Sequence, residues 1–208
     1  MLEKTDVADL ASINGKILTP LHHDVAEIDI TYISYYDIFS EWSTHKKGIL
    51  KYLPTATMRQ CIALLDFCFG KERFCDGLCI ASVRDKTFLK ILYRIRNLYY
   101  IDELLMSQNG NEDHYYKVLR YADWEIEYGD YMTTAPINLN IELKRTPKAD
   151  FDLCKALLVA ILREDHFSNG SFTRRVLRGD VERVLVRMKY LISMGLDTAE
   201  PTSDVCSH

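Results

Sequence analysis

Apolar residues recur every three or four positions over most of the chain, which is the spacing of helices that bury one face. The segment 58–69 is apolar around most of its circumference and predicts a central buried helix, with Thr57 as its N-cap. Further predicted helices cover residues 24–42, 78–83, 86–98 with Met106 as an alternative end, 112–128, 150–162 and 180–194, the last of them capped by Asp180. The pattern predicts a mainly α-helical protein.

Strands enter this prediction in two places at most. The alternation of Ile137, Leu139, Ile141 and Leu143 with polar residues indicates one short strand. The β-branched residues over 28–33 also fit a strand, which is an alternative to the helix predicted there. We therefore expect at most a few short strands.

The same hydrophobic pattern occurs twice. Residues 51–98 align with 144–191 without a gap, and 13 of the 48 aligned positions are identical, where unrelated sequences would give roughly three. We therefore expect two pseudo-repeated helical units, 8–100 and 101–193, packed into one compact body, with a flexible tail over 194–208.

A family resemblance follows from the repeated segment. Leu157–Gly170 joins an apolar helix to an arginine, an acid, an aromatic residue and a glycine, and Val184–Met188 and Ile91–Ile95 carry leucine and arginine on helices. This arrangement resembles the C-terminal core of a prokaryotic domain of unknown function, the one numbered 6508, in two tandem copies. His166 stands where the pattern has arginine, which Arg73 supplies in the first half. The resemblance implies an architecture and brings no activity with it.

Composition narrows the class of protein. Of 208 residues 48% are apolar and 27% charged, as in ordinary globular proteins, and the net charge of −4 argues against a surface built wholly for nucleic acid. No apolar run approaches the roughly 18 residues of a membrane helix, and the first residues are polar, so we expect a cytoplasmic protein without a membrane span. Cys61 and Cys154 are expected to be reduced core residues. The cysteine and histidine spacings predict no metal site, and no motif calls for a cofactor.

One cluster has the residue types for acid–base chemistry. Glu164, Asp165 and His166 follow the predicted helix 150–162 in what we expect to be a loop ending at Gly170. The alternative is that the two acids are solvated or cap the next helix. Because the first half has Arg73 in place of His166, the two halves do not share a histidine-dependent mechanism. These residues are candidates for a hydrolase, yet the sequence favours a protein that is not an enzyme.

Basic residues form the second candidate site. Lys90 and Arg94 in the first half match Arg183 and Arg187 in the second, each pair one helical turn apart, and Arg73 lies in the repeated loop. Two helices joined by a glycine turn, with exposed arginines, have the outline of a helix-turn-helix. Such arginines would contact a nucleic-acid backbone. An ordinary solvated helix face is the other interpretation.

Aromatic residues form the third candidate. Two tyrosine-rich segments contain Tyr35 and Trp42 in the first half and Trp124 and Tyr128 in the second. Three roles are open for them: they line a ligand groove, cover a partner surface or form the edge of the core. Phe167, in the repeated loop, is expected to pack at a helix junction.

The sequence thus favours a non-catalytic protein that binds a protein partner or a small ligand. A nucleic-acid-associated protein is the first alternative and a hydrolase the second. The sequence leaves the oligomeric state open.

Overall fold

The computed structural model describes residues 51–72, 82, 85–107, 112–168 and 170–197, and all of its regular elements in these ranges are helices. The mainly helical class predicted from the sequence is therefore confirmed. The chain divides into two compact units, one ending at Ile95 and the other beginning at Arg96. The predicted helix 24–42 and the candidate residues Tyr35, Trp42 and Arg73 lie outside the described residues.

The first unit contains a 3₁₀ turn, Leu53–Thr55, the helix α1, Met58–Glu72, and the start of α2, Thr87–Met106. Thr57 caps α1 as predicted. Its hydroxyl accepts from the backbone N–H of Gln60 at 3.3 Å, and its own N–H donates to the Gln60 side chain at 2.8 Å. These two bonds form a capping box that satisfies the first turn of the helix.

Helix α1 is buried on several faces, as its apolar circumference predicts. The buried side chains are those of Cys61, Ile62, Ala63, Leu64, Leu65, Cys68 and Phe69. Its Phe69 ring lies 5.4 Å from the ring of Phe88 on α2. The two helices therefore share an apolar interface inside the first unit.

The second unit is built around one central helix. Its elements are α3 Glu112–Tyr121, a 3₁₀ turn Tyr128–Tyr131, α4 Leu139–Glu142, a 3₁₀ helix Leu143–Lys148, α5 Phe151–Phe167, α6 Ser171–Leu177 and α7 Asp180–Ser193. Helix α5 packs against the other helices of this unit and the 3₁₀ turns. Its fully buried residues are Cys154, Ala156, Leu157, Leu158, Ile161 and Leu162. The Asp150 carboxylate caps it by accepting from the N–H of Leu153 at 2.8 Å.

Both predicted core cysteines are confirmed. Cys61 and Cys154 are completely buried. Burial raises the pKa of the Cys154 thiol to about 12, because the low-dielectric surroundings disfavour the thiolate. Each cysteine acts here as a small apolar residue.

The predicted strand over 137–143 is wrong. Leu139–Glu142 is helical, and Asn138 caps it through a side chain that accepts from Asn140 N–H at 3.1 Å. Leu139 and Leu143, four apart, are buried, whereas Ile137 and Ile141 are exposed. A strand would place all four on one face, so the burial follows the helical period instead.

The predicted loop after residue 162 is also wrong, because α5 continues to Phe167. Phe167 is 88% exposed and does not pack at a helix junction. Phe172 on α6 does so instead: it is buried, with its ring 5.0 Å from that of Tyr115 and the two ring planes at 66°. Two of the residues in this last turn, Glu164 and Asp165, bond to the α6 segment through their side chains.

Two other helix ends differ from the prediction. Helix α3 ends at Tyr121, since Asp123 has a φ of 58° that no α-helix contains. The N-cap of α7 is Gly179, with a φ of 72°, and Asp180 is the first helical residue. Glycine adopts this left-handed conformation without strain, so the turn between α6 and α7 can be tight.

Candidate functional site

A groove of about 950 Å³ opens on the second unit, between the α4–3₁₀ segment and helices α6 and α7. Its apolar lining comes from Leu143 and Pro147 on one side and Val186 and Tyr190 on the other. Val186 is 54% exposed and Tyr190 50% exposed. The groove therefore offers apolar surface that no described residue covers.

Five basic residues also line the groove, against two acidic ones. The basic residues are Lys144, Arg175, Arg178, Arg183 and Arg187, and the acidic ones are Asp180 and Glu182. This excess contrasts with the net charge of −4 of the whole chain. The groove is thus a local positive region on an acidic protein.

Arg187 is fixed at the centre of this lining. Its Nε donates to the carbonyl of Ala149 at 2.9 Å, and its guanidinium carbon lies 5.1 Å from the centre of the Tyr190 ring. The second contact is within the range of a cation–π interaction. Backbone and ring together orient the guanidinium, and no described residue accepts a hydrogen bond from Nη1 or Nη2.

Arg175 holds the elements of the groove together. Its guanidinium donates to Glu164 through Nε at 2.8 Å and Nη2 at 2.9 Å, and its Nη1 donates to Asn140 at 2.7 Å and Asp180 at 3.1 Å. These bonds tie α4, α5 and α7 to α6. Asp180 also pairs with Arg183. Because Arg175 is buried and its charge is balanced, its role is structural.

Glu142 anchors the element that carries Leu143 and Lys144. Its fully buried carboxylate accepts from the N–H and hydroxyl groups of Thr133 and Thr134 at 2.8–2.9 Å and from Arg145 at 2.6 Å. Burial alone would raise the pKa of Glu142, but these hydrogen bonds outweigh burial and lower it to about 2.

The predicted acid–base cluster is held by structural bonds. Hydrogen bonding to Arg175 lowers the pKa of Glu164. Asp165 accepts from the N–H of Phe172 at 2.7 Å, and bonds to the Glu112 carboxyl and to this backbone lower the pKa of Asp165. His166 lies on the same last turn of α5. The two carboxylates stay ionised and hold the turn between α5 and α6.

The basic residues predicted in the first half lie in a different setting from those in the second. Arg94 is only 4% exposed, and its Nε donates to the carbonyl of Ala56 at 2.9 Å. Lys90 is exposed on α2. Arg183 and Arg187 both line the groove of the second unit. Of these four predicted residues the structure therefore brings only the last two together.

The predicted aromatic residues of the second half belong to the core and its edge. Trp124 is 1% exposed, with its Nε1–H donating to Asn97 at 3.2 Å, and its ring lies 5.7 Å from that of Phe151. Tyr128 is half-buried against the same core. Asn97 in turn donates to the buried Asp197 at 2.9 Å.

Sequence reasoning missed the apolar lining of the groove. Val186 and Tyr190 line the groove four residues apart, and Met194 continues the same spacing beyond it; all three are about half exposed. The positions that α7 buries are Val181, Val184, Leu185, Met188, Leu191 and Ile192. An apolar stripe on the face opposite the core positions was the available signal.

No family model, no curated protein and no solved structure matches this chain. The resemblance to the domain numbered 6508 therefore remains a prediction. Among the described residues, no helix has the length and apolar character needed to cross a membrane, and no cluster of three His, Cys, Asp or Glu side chains has a metal-binding arrangement.

Proposed function

We propose that this protein is a non-catalytic binding protein and that a protein partner inserts into the groove of the second unit. The observation that carries the proposal is the half-exposed pair Val186 and Tyr190, which faces Leu143 and Pro147 across about 950 Å³. Apolar and aromatic anchors inside a charged rim are typical of protein interfaces. The groove is also large enough for several side chains of a partner.

The state of the predicted catalytic cluster supports a non-catalytic role. Glu164 and Asp165 accept hydrogen bonds from Arg175 and from the backbone of Phe172. A general base near neutral pH requires a raised pKa, whereas the pKa of each carboxyl is lowered here. A hydrolase based on these two groups therefore gains no support.

We also propose that the two halves descend from one helical unit, as the resemblance to the domain numbered 6508 implies. Matching features recur at an interval of 93 residues. Thr57 and Asp150 both cap a helix, and Lys86 and Gly179 both have a positive φ. The bonds from Arg94 to Ala56 and from Arg187 to Ala149 each span 38 residues. Such agreement in backbone detail supports a duplication.

Selection from a phage-displayed dodecapeptide library on the full-length protein tests the binding function. We expect selected peptides to bind the wild type and to lose affinity by at least about tenfold on Val186→Glu, which places a charge on the apolar lining. Leu177→Glu is the matched control, because Leu177 is 82% exposed on α6 and does not line the groove. Absence of enriched peptides, or equal binding to both variants, would contradict the proposal.

The exposed cations support a second candidate, nucleic-acid binding. Arg183 has a 61% exposed side chain, and Lys144 and Arg178 are exposed beside it. Fluorescence anisotropy with labelled duplex DNA and single-stranded RNA at two salt concentrations distinguishes the candidates. Tight binding that weakens steeply with salt would favour this alternative, since phosphate contacts release counterions. The burial of Arg94 removes the matching contact from the first half.

A further inference from the structure

The chemistry of the groove specifies its occupant further, and this step rests on the proposed function. Three of the five cations, Lys144, Arg178 and Arg187, form no ion pair with any described residue. The other two, Arg175 and Arg183, are paired with carboxylates of the protein itself. The first three thus leave positive charge beside an apolar lining, and a complementary partner must carry negative charge beside apolar side chains.

Arg187 is the cation best prepared to receive a carboxylate. A flexible surface arginine loses side-chain entropy when it is fixed by a ligand, but the Ala149 carbonyl and the Tyr190 ring already hold this one. Its Nε is occupied, so a carboxylate approaches end-on to Nη1 and Nη2, which form two parallel hydrogen bonds. The same Tyr190 ring is half exposed, and an apolar side chain of the ligand can pack on it.

The apolar lining and the acids of the groove favour a peptide over a polynucleotide. A phosphate backbone carries one charge per nucleotide and would pass Glu182, an exposed acid that lines the same groove. It would also leave the apolar contacts of Leu143 and Val186 unused. A peptide can place one carboxylate on Arg187 and keep other charges away from Glu182.

We propose that the groove binds an acidic peptide segment of a partner protein, with a carboxylate on Arg187 and a neighbouring aliphatic or aromatic side chain between Pro147 and Val186. Lys144 and Arg178 attract the segment at longer range and select against basic sequences. Tyr190 both orients Arg187 and contacts the apolar side chain.

The test uses peptides from the selection described above, each synthesised with a fluorescent label and in a second form with Asp and Glu replaced by Asn and Gln. We expect acids beside apolar residues among the enriched sequences, and at least about tenfold weaker binding of the amide form to the wild type. Arg187→Gln should weaken the acidic peptide by a similar factor and leave the amide form unchanged, as a double-mutant cycle requires. The affinity of Arg187→Lys for the acidic peptide should lie between those of the wild type and Arg187→Gln, since lysine keeps the charge but lacks the planar guanidinium.

Lys189→Gln is the matched control. Lys189 is an exposed cation on the same helix as Arg187, but it pairs with Asp102 and does not line the groove, so the acidic peptide should lose less than about threefold in affinity. Unchanged binding of the amide form by Arg187→Gln also shows that this variant keeps its fold. A variant that weakens both peptide forms equally has disturbed the groove itself, and the inference would then be overturned.

The remaining outcomes separate the two proposals. If the selected peptides lack acidic residues but their binding depends on Val186, the binding function is supported and the acidic specificity is overturned. Absence of any groove-dependent peptide overturns both. Displacement of the acidic peptide by single-stranded RNA or duplex DNA that binds more tightly, with a steep salt dependence, identifies a phosphate backbone as the occupant and overturns the inference.

Discussion

Arg94 in the first unit and Arg187 in the second make the same bond in different surroundings. Each donates its Nε to the carbonyl of an alanine 38 residues earlier, at 2.9 Å. Arg94 is buried, whereas Arg187 is partly exposed and lines the groove. The same backbone contact is therefore buried in one unit, whereas in the other it orients a guanidinium that lines the groove.

This difference shows why an aligned pair of residues does not imply a shared role. The alignment places Lys90 and Arg94 opposite Arg183 and Arg187, and on that basis all four are candidates for one type of surface. Burial decides between them, because a guanidinium that is 4% exposed cannot receive a partner without local unfolding.

The largest expected effect on stability is that of replacing Glu142. This residue belongs to the second unit alone, since the first half has Ile49 at the aligned position. Glu142→Leu removes the acceptor of the bonds from Thr133, Thr134 and Arg145. We expect a loss of roughly 3–5 kcal/mol in the free energy of unfolding, because a buried network loses its central charge. Urea denaturation at neutral pH measures the loss, and Glu182→Gln, at an exposed acid of the same unit, should change it by less than about 0.5 kcal/mol.

The acid stability of the protein should depend on the same carboxyl. The pKa of Glu142 is about 2 in the folded protein, well below that of an unfolded glutamate near 4.3. A lowered pKa stabilises the fold fully above the unfolded value, and the contribution is lost as the pH falls from about 4.5 to 2. Urea midpoints measured across this range should fall more steeply for the wild type than for Glu142→Leu. Parallel curves would show that the carboxyl contributes nothing to acid stability.

The arginine pair gives the next effect. Arg94→Met should cost roughly 2–3 kcal/mol, because the buried carbonyl of Ala56 loses its charged donor. Arg187→Met should cost about 1 kcal/mol or less, because Arg187 is only partly buried and its removal opens the buried Ala149 carbonyl to water from the groove. Hydrogen exchange with mass spectrometry assigns each loss to its unit. Equal losses for the two substitutions would break the contrast between a buried and an open arginine.

The smallest effects come from the turns before α2 and α7. Lys86 and Gly179 occupy aligned positions, and both have a positive φ, 61° and 72°. Lys86→Gly should stabilise the protein by about 0.5–1 kcal/mol by relieving strain, and Gly179→Ala should destabilise it by a similar amount. A Cβ at Gly179 would lie 3.9 Å from Glu182 Oε2, so its cost is conformational rather than steric. Thermal unfolding of both variants measures these opposite signs, and a shared sign would contradict the matching of the two turns.

The predictable parts of the fold are those that local sequence specifies. Helices α1 and α5 begin at the expected residues because Thr57 and Asp150 cap them, and the apolar period of each helix matches its burial. The predicted strand over 137–143 is wrong because Leu139 and Leu143, four residues apart, also fit one face of a helix, and these two are the residues that are buried.

The groove was less accessible to sequence reasoning. Arg183 and Arg187 were identified as candidates, but their surroundings depend on contacts between residues far apart in the chain. The bond from Arg187 to Ala149 spans 38 residues and that from Arg175 to Asn140 spans 35. No local period encodes such pairings. Burial of Arg94 is likewise a tertiary property that the matching residue types conceal.

The most direct test follows the Nε–H signals of Arg94 and Arg187 by nitrogen-15 NMR during titration with a selected acidic peptide. Both protons are held in hydrogen bonds to backbone carbonyls, which slows their exchange with water, and Arg187→Lys assigns one of them. We predict that the Arg187 signal shifts and saturates with the peptide while the Arg94 signal stays in place. An Arg187 signal that does not move while the peptide binds would contradict the proposal that Arg187 receives a carboxylate of the peptide.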